Sequence, residues 1–326
     1  MQEIVTDICV IGAGAGGLSV AAGAVQMGAR VVLIEAAEMG GDCLNAGCVP
    51  SKALIAAAAA AQAQRAGFAG VAAVAPQVDF AAVKDHVAAV IAQIAPVDSQ
   101  DRFQDLGCTV IRAFARFVGP GQVMAGDHLV SARRFVIATG SRPMVPPIPG
   151  LADTPYLTNE TIFALRDRPA HLLVLGGGPI GMELAQAHRR LGCGVTLVEA
   201  GRILGREDPE LAAVVARHLA DEGVTLVEGQ PVVRVQPVDA GVELTLADGR
   251  QVRGSHLLVA AGRKVALDGM GLDLAGIAHT DRGVTVNDRL RSSNRRVYAV
   301  GDAAGGMQFT HVAGWRAGIV LRQALL

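Results

Sequence analysis

The sequence is poor in aromatic residues, in excess charge of either sign and in long apolar runs. Aromatic residues make up only 3% of the 326 residues, so the hydrophobic core has to rest on Val, Leu, Ile and the abundant Ala. The 29 basic and 30 acidic residues leave a net charge of -1, which disfavours a nucleic-acid partner. The longest apolar run, residues 53–61, is too short to span a bilayer, so no membrane partner is expected.

Cysteine is also scarce, and the count of 5 is odd. A large glycine-rich chain with so few cysteines differs from a small secreted domain held together by disulfides. The chain enters an apolar strand-like run at Ile8–Ile11, which leaves no room for a signal peptide. A cytoplasmic protein of about two domains is therefore expected.

Two segments of the chain repeat one pattern. A short apolar run opens into Gly-x-Gly-x-x-Gly, continues as an alanine-rich helical stretch and ends in a second apolar strand with an acid. The glycines and acids of the two copies are Gly12, Gly14, Gly17 and Glu35, and Gly176, Gly178, Gly181 and Glu199. The spacing from first glycine to acid is the same in both. Two complete β-α-β units in matching register indicate two dinucleotide-binding sites.

Each residue type in this pattern has a physical task. The first glycine permits the tight turn, the second lets the backbone approach a pyrophosphate, and the third lets helix and strand pack closely. The helix N-terminus offers unpaired N–H donors to the phosphates. Glu35 and Glu199 would each accept hydrogen bonds from an adenosine ribose, and an acid there favours a free 2′-hydroxyl, so the second site should prefer NAD to NADP. Glycines used only for turns would leave the two matching acids unexplained.

A cysteine pair follows the first unit directly, in Gly-Gly-Asp-Cys-Leu-Asn-Ala-Gly-Cys-Val-Pro-Ser-Lys over residues 40–52. A helix should begin here, and a helix dipole lowers the pKa of thiols at its N-terminal end. Cys43 and Cys48 do not share a face of a regular helix, so a bridge needs a local distortion, which Gly47 and Pro50 can provide. Such a bridge is expected to be reducible. The alternatives are a metal site, which lacks a second Cys/His pair at ligand spacing, and a structural disulfide, which a cytosolic setting disfavours.

The rest of the sequence predicts elements and boundaries around these motifs. Proline and glycine between residues 143 and 150 mark one domain boundary, and residues 268–276 mark another. The predicted elements are an Ala/Val-rich helical region up to about Val97 and strand-like pieces over 109–117, 134–140 and 296–302, and the run 257–262 precedes the second boundary.

Residues 40–52, both glycine motifs, Ala-Thr-Gly-Ser-Arg-Pro at 138–143 and Tyr-Ala-Val-Gly-Asp at 298–302 together resemble the class I pyridine nucleotide-disulfide oxidoreductases. The resemblance is closest to the dihydrolipoyl dehydrogenase and mercuric reductase types and covers essentially the whole chain. It implies an α/β fold of two Rossmann-like dinucleotide-binding domains of the glutathione reductase-like kind, the second inserted in the first. The implied domains are an FAD-binding domain of residues 1–149 and 269–326 and an NAD(P)-binding domain of residues 150–268.

The resemblance also implies roles for single residues. Cys48 is implied to lie next to the flavin and Cys43 to be the interchange thiol, with Lys52 beside the flavin and Glu183 as its acidic partner. For His311, helix capping or cofactor packing is favoured over catalysis. The implied FAD contacts are Gly12, Gly14, Gly17, Glu35, Lys52, Ala115, Thr139, Gly140, Asp302 and His311, and the implied NAD contacts are Gly176, Gly178, Gly181, Glu199 and Gly262. No resident metal is expected.

The implied function is electron transfer between NAD(H), FAD and a Cys43–Cys48 disulfide, with a small dithiol or disulfide as substrate. The alternatives are a mercuric-reductase-like enzyme acting on a metal ion, which Asp42 in place of the usual threonine keeps open, and a flavin-binding electron carrier without a disulfide substrate. In the family a third domain forms the dimer and carries a His–Glu acid–base pair. Since no such pair follows here, slow lipoamide turnover and a monomer are expected for this chain, and a homodimer for a longer one.

Overall fold

The computed structural model describes residues 1–325, and Leu326, the end of the second predicted FAD segment, lies outside the described residues. The chain divides into two compact units: unit 1 is Met1–Asn45, Ala92–Arg142 and Lys264–Leu326, and unit 2 is Ala46–Ile91 and Pro143–Arg263. The helices are α1 (Ala15–Gln26), α2 (Gly41–Asn45), α3 (Cys48–Ala66), α4 (Phe80–Ile94), α5 (Gln100–Asp105), α6 (Pro179–Arg190), α7 (Pro209–Asp221) and α8 (Thr310–Leu325). Short 3-10 helices span Ala95–Asp98, Ile162–Ala164, Asp273–Ala275 and Gly301–Ala304.

The strands are β1 (Gln2–Ile11), β2 (Val31–Glu35), β3 (Cys108–Arg112), β4 (Ala115–Gly119), β5 (Gln122–Ala125), β6 (His128–Ile137), β7 (Ser141–Pro143), β8 (His171–Leu175), β9 (Gly194–Val198), β10 (Thr225–Val227), β11 (Val232–Val238), β12 (Gly241–Leu246), β13 (Gln251–Gly254), β14 (His256–Val259), β15 (Arg263–Val265), β16 (His279–Thr280), β17 (Gly283–Val284) and β18 (Val297–Ala299).

Unit 1 is built on a seven-stranded sheet in which β3, β2, β1 and β6 run parallel in that order. The first half of β6 pairs with antiparallel β5, and β5 pairs in turn with β4. The second half of β6 pairs with parallel β18. Successive residues of β1 face opposite sides of the sheet. Ile8 and Val10 pack in a core that includes residues of α1 and α8, whereas Cys9 and Ile11 pack with Phe117 on the other side. Both faces of β1 are therefore buried over Ile8–Ile11, as this continuous apolar run requires.

Unit 2 follows the same plan on a smaller sheet of four parallel strands in the order β10-β9-β8-β14. Leu172 and Val174 of β8 pack against residues of α3, α4, α6 and α7. Leu173 and Leu175 pack on the opposite side against the three-stranded antiparallel sheet β11-β12-β13. The two repeated sequence patterns thus become β1-α1-β2 and β8-α6-β9.

The structure confirms the predicted α/β class and the two β-α-β repeats. The strand predicted over 109–117 is instead two strands, β3 and β4, because β3 joins the parallel part of the sheet and β4 the antiparallel part. Residues 46–91 belong by their contacts to unit 2. The domain limits predicted at 149/150 and 268/269 stay a prediction.

Two helical stretches are long and apolar enough to cross a membrane, judged by length and composition alone. They are Gly41–Ala66 and Phe80–Asp105, with a hydropathy of 1.3 each and with 33% and 17% of the apolar window buried. The first is interrupted at Ala46–Gly47, and the second continues into a 3-10 helix after Ile94. Such helices also occur in proteins that meet no membrane, so the expected absence of a membrane partner stays a prediction.

Candidate functional site

The first glycine loop connects β1 to α1 through two close backbone approaches. Gly12 has a φ of 107°, and a Cβ there would lie 2.4 Å from the carbonyl oxygen of Ala138. A Cβ on Gly17 would lie 1.8 Å from the carbonyl oxygen of Gly12, so α1 can approach the loop only through glycine. At Gly14, by contrast, the nearest atom to a Cβ is the Cα of Gly41 at 3.9 Å. The middle glycine therefore leaves room where a pyrophosphate would bind.

The second glycine loop, between β8 and α6, has the same geometry. Gly176 has a φ of 116°, and a Cβ there would lie 2.3 Å from the carbonyl oxygen of Ala260. A Cβ on Gly181 would lie 2.0 Å from the carbonyl oxygen of Gly176. The middle glycine, Gly178, has nothing within 4 Å of its Cβ position. Both loops thus combine two glycines that the protein itself needs with one that leaves open space.

Glu35 and Glu199 take equivalent positions beside the two loops. One carboxylate oxygen of Glu35 accepts the N–H of Ala13 at 2.5 Å, and the other accepts the N–H two residues after the glutamate at 2.7 Å. Glu199 accepts the N–H of Gly177 at 2.6 Å and the N–H two residues further on at 2.8 Å. Each acid is therefore held against its glycine loop. A carboxylate has about four acceptor sites, so both retain capacity for ribose hydroxyls.

The segment after β6 adds polar groups to the first site. The hydroxyl oxygen of Thr139 is buried and has no hydrogen-bond partner within residues 1–325. Such an orphaned group costs about 1–3 kcal/mol unless a ligand or water satisfies it. Gly140 follows with a φ of 69°, and Ser141 donates its hydroxyl to Asp302 at 2.5 Å. Sequence reasoning gave Ser141 no role, although its place directly after Gly140 was a usable signal.

Three further residues implied by the resemblance lie at or directly before the start of an element. Ala115 begins β4 and is buried. His311 is the second residue of α8, is exposed and stacks on the ring of Phe309 with centroids 5.5 Å apart. The helix N-terminus predicted at His311 is therefore present. Gly262, in unit 2, follows β14 with a φ of 130°.

The cysteine pair lies on two consecutive helices. Cys43 is half-buried on α2, and Cys48 is the exposed first residue of α3. The helices are separated at Ala46–Gly47, where Gly47 has φ -122° and ψ -117°. Pro50 lies in the first turn of α3, where its missing N–H leaves no helical bond unmade. A local distortion does separate the cysteines, but they lie on two helices rather than at the start of the one helix expected after Asp42.

The first glycine loop holds the segment that leads into Cys43. The N–H of Gly40 donates to the carbonyl oxygen of Ala13 at 2.9 Å. A Cβ on Gly41 would lie 2.7 Å from the Cα of Gly14. Asn45 closes α2 by donating to two backbone carbonyls, of Met39 at 3.0 Å and of Gly41 at 2.8 Å. The glycines at 40 and 41 let the cysteine segment lie directly against the loop.

Lys52 and Glu183 form an ion pair in unit 2. Lys52 lies one turn after Cys48 on α3, and its Nζ is 2.7 Å from both carboxylate oxygens of Glu183 on α6. The structure therefore brings together these two predicted residues, which are 131 positions apart in the sequence.

The remaining cysteines are buried, as predicted. Burial raises the pKa of Cys9 and raises that of Cys108 and of Cys193 to about 11, so these thiols stay protonated. Among residues 1–325, no group of three or more His, Cys, Asp or Glu side chains is arranged to hold a metal ion.

Comparison with known proteins identifies the family. The model of the family "Pyridine nucleotide-disulphide oxidoreductase" matches residues 6–317. The chain belongs to this family. Members use FAD and NAD(P)H, so the enzyme class and cofactors that the sequence predicted are confirmed. The residues present fit both cofactors, because each middle glycine leaves open space and the buried hydroxyl of Thr139 lacks a partner among the described residues.

Several family members are similar over most of this chain. A mercuric reductase of Streptomyces lividans is 38% identical over 330 residues, which cover 98% of this chain and 70% of that protein. A dihydrolipoyl dehydrogenase of Thermus scotoductus is 34% identical over 94% of this chain and 68% of that protein. The solved Cu(II) complex of the HOCl-induced flavoprotein disulfide reductase RclA from Escherichia coli matches with a TM-score of 0.88 and 30% identity, covering 98% of this chain and 71% of that one. Across the matched mercuric reductases the chain spans from 52% to 70% of their length.

Proposed function

We propose that unit 1 binds FAD, that unit 2 binds NADH, and that electrons pass from NADH through FAD to the Cys43–Cys48 pair. The observation that carries this proposal is the matched pair of glycine loops, each with an acid held against it, with the cysteine segment bonded to the first loop through Gly40. The fold and the membership of the family support the same assignment.

In this proposal unit 1 holds FAD through main-chain and small polar groups. The loop at Gly12, Gly14 and Gly17 and the start of α1 bind the pyrophosphate, and Glu35 accepts the adenosine ribose hydroxyls. Thr139 supplies its buried hydroxyl. Asp302, held by Ser141, binds the ribityl chain. Ala115 and His311 border the two ends of the cofactor.

The sulfur chemistry belongs to Cys43 and Cys48. Bound FAD would supply a two-electron carrier that takes hydride from NADH and delivers electrons to sulfur. Two electrons break the Cys43–Cys48 bond, and two protons, one from NADH and one from solvent, complete the two thiols. Cys48, the first residue of α3, is the thiol next to the cofactor. Cys43 is then the thiol that exchanges with substrate.

Lys52 and Glu183 are proposed to act as a pair. The Lys52 ammonium provides positive charge beside the cofactor, and Glu183 orients that charge by accepting from it with both oxygens. This role explains why a bidentate pair is placed at an exposed position.

The second site is proposed to prefer NADH. Glu199 would repel a 2′-phosphate, and the nearest arginine, Arg202, donates its guanidinium to the carbonyl oxygens of Gly205 and Glu207 in its own loop. These bonds within its own loop compete with the binding of a 2′-phosphate by Arg202.

A thiol count tests the proposed electron path. The protein purified with its FAD is mixed anaerobically with NADH, alkylated with iodoacetamide and digested. We expect NADH to create two alkylated cysteines on the peptide that carries Cys43 and Cys48. Cys43→Ser and Cys48→Ser should each remove this gain, while only Cys43→Ser keeps a thiolate–flavin absorption band. Alkylation unchanged by NADH, or a protein that never holds FAD, would contradict the proposal.

Reduction of mercuric ion is a second candidate function. Seven matched relatives, 32% to 38% identical, are named mercuric reductase. Thiolates are soft ligands that bind such an ion well, so the half-buried Cys43 and exposed Cys48 could serve it. NADH consumption with lipoamide and with mercuric ion, measured side by side, separates the two substrates. A cytoplasmic location and the oligomeric state stay predictions.

A further inference from the structure

A buried side chain far along the sequence binds the peptide that separates the two cysteines. Asn159 is 6% exposed, and its Nδ2 donates to the carbonyl oxygen of Ala46 at 3.0 Å, although the two are 113 positions apart. Ala46 is also buried, and it lies at the interruption between the helix of Cys43 and the helix that Cys48 begins. Both bonded residues belong to unit 2.

The segment that carries Asn159 is fixed at its first residue by the sheet of unit 2. The N–H of Leu157 donates to the carbonyl oxygen of Leu257 at 2.7 Å, and the N–H of Val259 donates to that of Leu157 at 2.8 Å. These bonds attach Leu157 to β14. We call residues 157–162 the anchor segment.

The anchor segment is fixed again at its last residue by a buried lysine. Ile162 is fully buried, and its carbonyl oxygen accepts a hydrogen bond from Nζ of Lys84 at 2.9 Å. The Lys84 ammonium also lies over the rings of Phe80 at 5.0 Å and Phe163 at 5.8 Å. Between the two fixed ends, Ile162 donates its N–H to Thr158 in a tight turn at 3.0 Å. Asn159 therefore extends from a segment with little freedom.

We propose that Asn159 is a positioning residue for the Cys43–Cys48 pair, which it keeps in register by holding Ala46. This inference rests on the proposed redox role of the two cysteines. The peptide at Ala46–Gly47 is not part of a helix and contains a glycine, so without an anchor it gains freedom in the dithiol form. In the bridged form the covalent bond restrains the same peptide. Anchoring Ala46 thus lowers the entropy lost on forming the bridge and favours the disulfide.

The dithiol–disulfide equilibrium of the pair tests this inference. The wild type and the Asn159→Ala and Asn159→Asp variants, each with FAD, are equilibrated in reduced and oxidised dithiothreitol mixtures, alkylated and quantified by mass spectrometry. Asn159→Asp keeps the side-chain shape but replaces the donor by an acceptor. We expect the equilibrium constant for disulfide formation to fall about threefold to tenfold in both variants.

Thr154→Val is the matched control. Thr154 is also buried in unit 2 and donates its hydroxyl to a backbone carbonyl, that of Gly150 at 2.7 Å, but it lies outside the anchor segment. An unchanged equilibrium in this variant, with a shift in both Asn159 variants, supports the inference. Equal shifts in all three variants would show general loosening and overturn it, as would Asn159 variants that match the wild type. A wild type that forms no Cys43–Cys48 disulfide would overturn the proposed function itself.

Discussion

Lys52 of α3 donates to both carboxylate oxygens of Glu183 of α6, with Nζ 2.7 Å from each. The two side chains are 60% and 40% exposed, so water screens their attraction. An exposed pair of this kind adds at most about 1 kcal/mol to stability. Folding stability alone therefore gives little reason for its bidentate geometry, and the proposed function gives it a role that a substitution can test.

Glu183→Gln should slow the NADH-dependent reduction of FAD about tenfold or more while changing the free energy of unfolding by less than about 1 kcal/mol. The reason is that the ammonium of Lys52 loses the partner that orients it. Stopped-flow absorbance and urea unfolding measure the two quantities. Asp85→Asn is the control, because it breaks another exposed bidentate pair, with Arg166, in the same unit. If both variants slow FAD reduction alike, the pair has no special role.

Gly12→Ala and Gly176→Ala should separate the two cofactors. The added Cβ would lie 2.4 Å from a carbonyl oxygen in the first case and 2.3 Å in the second, and both residues have a positive φ. Gly12→Ala should yield protein with little FAD. Gly176→Ala should keep FAD, which dithionite still reduces, but should lose reduction by NADH. Loss of FAD from both variants would contradict the assignment of separate sites. Visible absorbance of the purified proteins gives the result.

Glu199→Ala should raise the KM for NADH about tenfold to a hundredfold and lower that for NADPH, because the repulsion between the carboxylate and the 2′-phosphate is lost. The KM for NADH should rise because a hydrogen bond to a charged group is worth about 1.5–3 kcal/mol, and only NADH offers the 2′-hydroxyl that makes it. Steady-state rates of dye reduction at varied NADH or NADPH concentration give the two KM values. Glu35→Ala serves as the matched control and should lower FAD content without altering the nucleotide preference. Equal rates with NADH and NADPH in the unchanged protein would refute the preference itself.

Lys84 should make stability rise with pH in alkaline solution. Burial lowers its pKa to about 8, whereas in the unfolded chain it keeps its ordinary value near 10.5. Between these values the unfolded chain binds a proton that the folded chain has released, so unfolding becomes harder as the pH rises. Lys84→Met should remove this rise. Urea unfolding at pH 7 and at pH 9.5 should show the wild type gaining about 1–2 kcal/mol relative to the variant. If the free energy of unfolding changed with pH in the same way in the wild type and in Lys84→Met, the pKa of Lys84 would not be lowered in the folded protein.

The sequence predicted those parts of the site that depend on local spacing. The glycines and the acid of each β-α-β unit stand at a fixed spacing in the sequence, so both loops and both acids could be predicted from that spacing. A local distortion between the cysteines was predicted from Gly47 and Pro50, and the structure has it at Gly47, whereas Pro50 fits the first turn of α3. The pairing of Lys52 with Glu183 came from the resemblance, since 131 positions separate the two residues.

The parts that sequence reasoning missed depend on distant contacts. Asn159 stands in a polar loop, and nothing in its neighbours indicates that its amide binds Ala46. Lys84 follows apolar residues in a helix, where a lysine ordinarily faces water, yet it is 3% exposed. The division of 109–117 into β3 and β4 was hidden because Ala113 and Phe114 are as apolar as the strands they separate.

The two glutamates that lie against the glycine loops also bear on how fast the cofactors bind. Glu35 and Glu199 each already accept two backbone N–H groups. Under the proposed function, an arriving adenosine would meet a carboxylate that these bonds already hold in place. Association would then be limited by diffusion and by removing water from the carboxylate, and a difference in affinity between the two sites would show mainly in the dissociation rates.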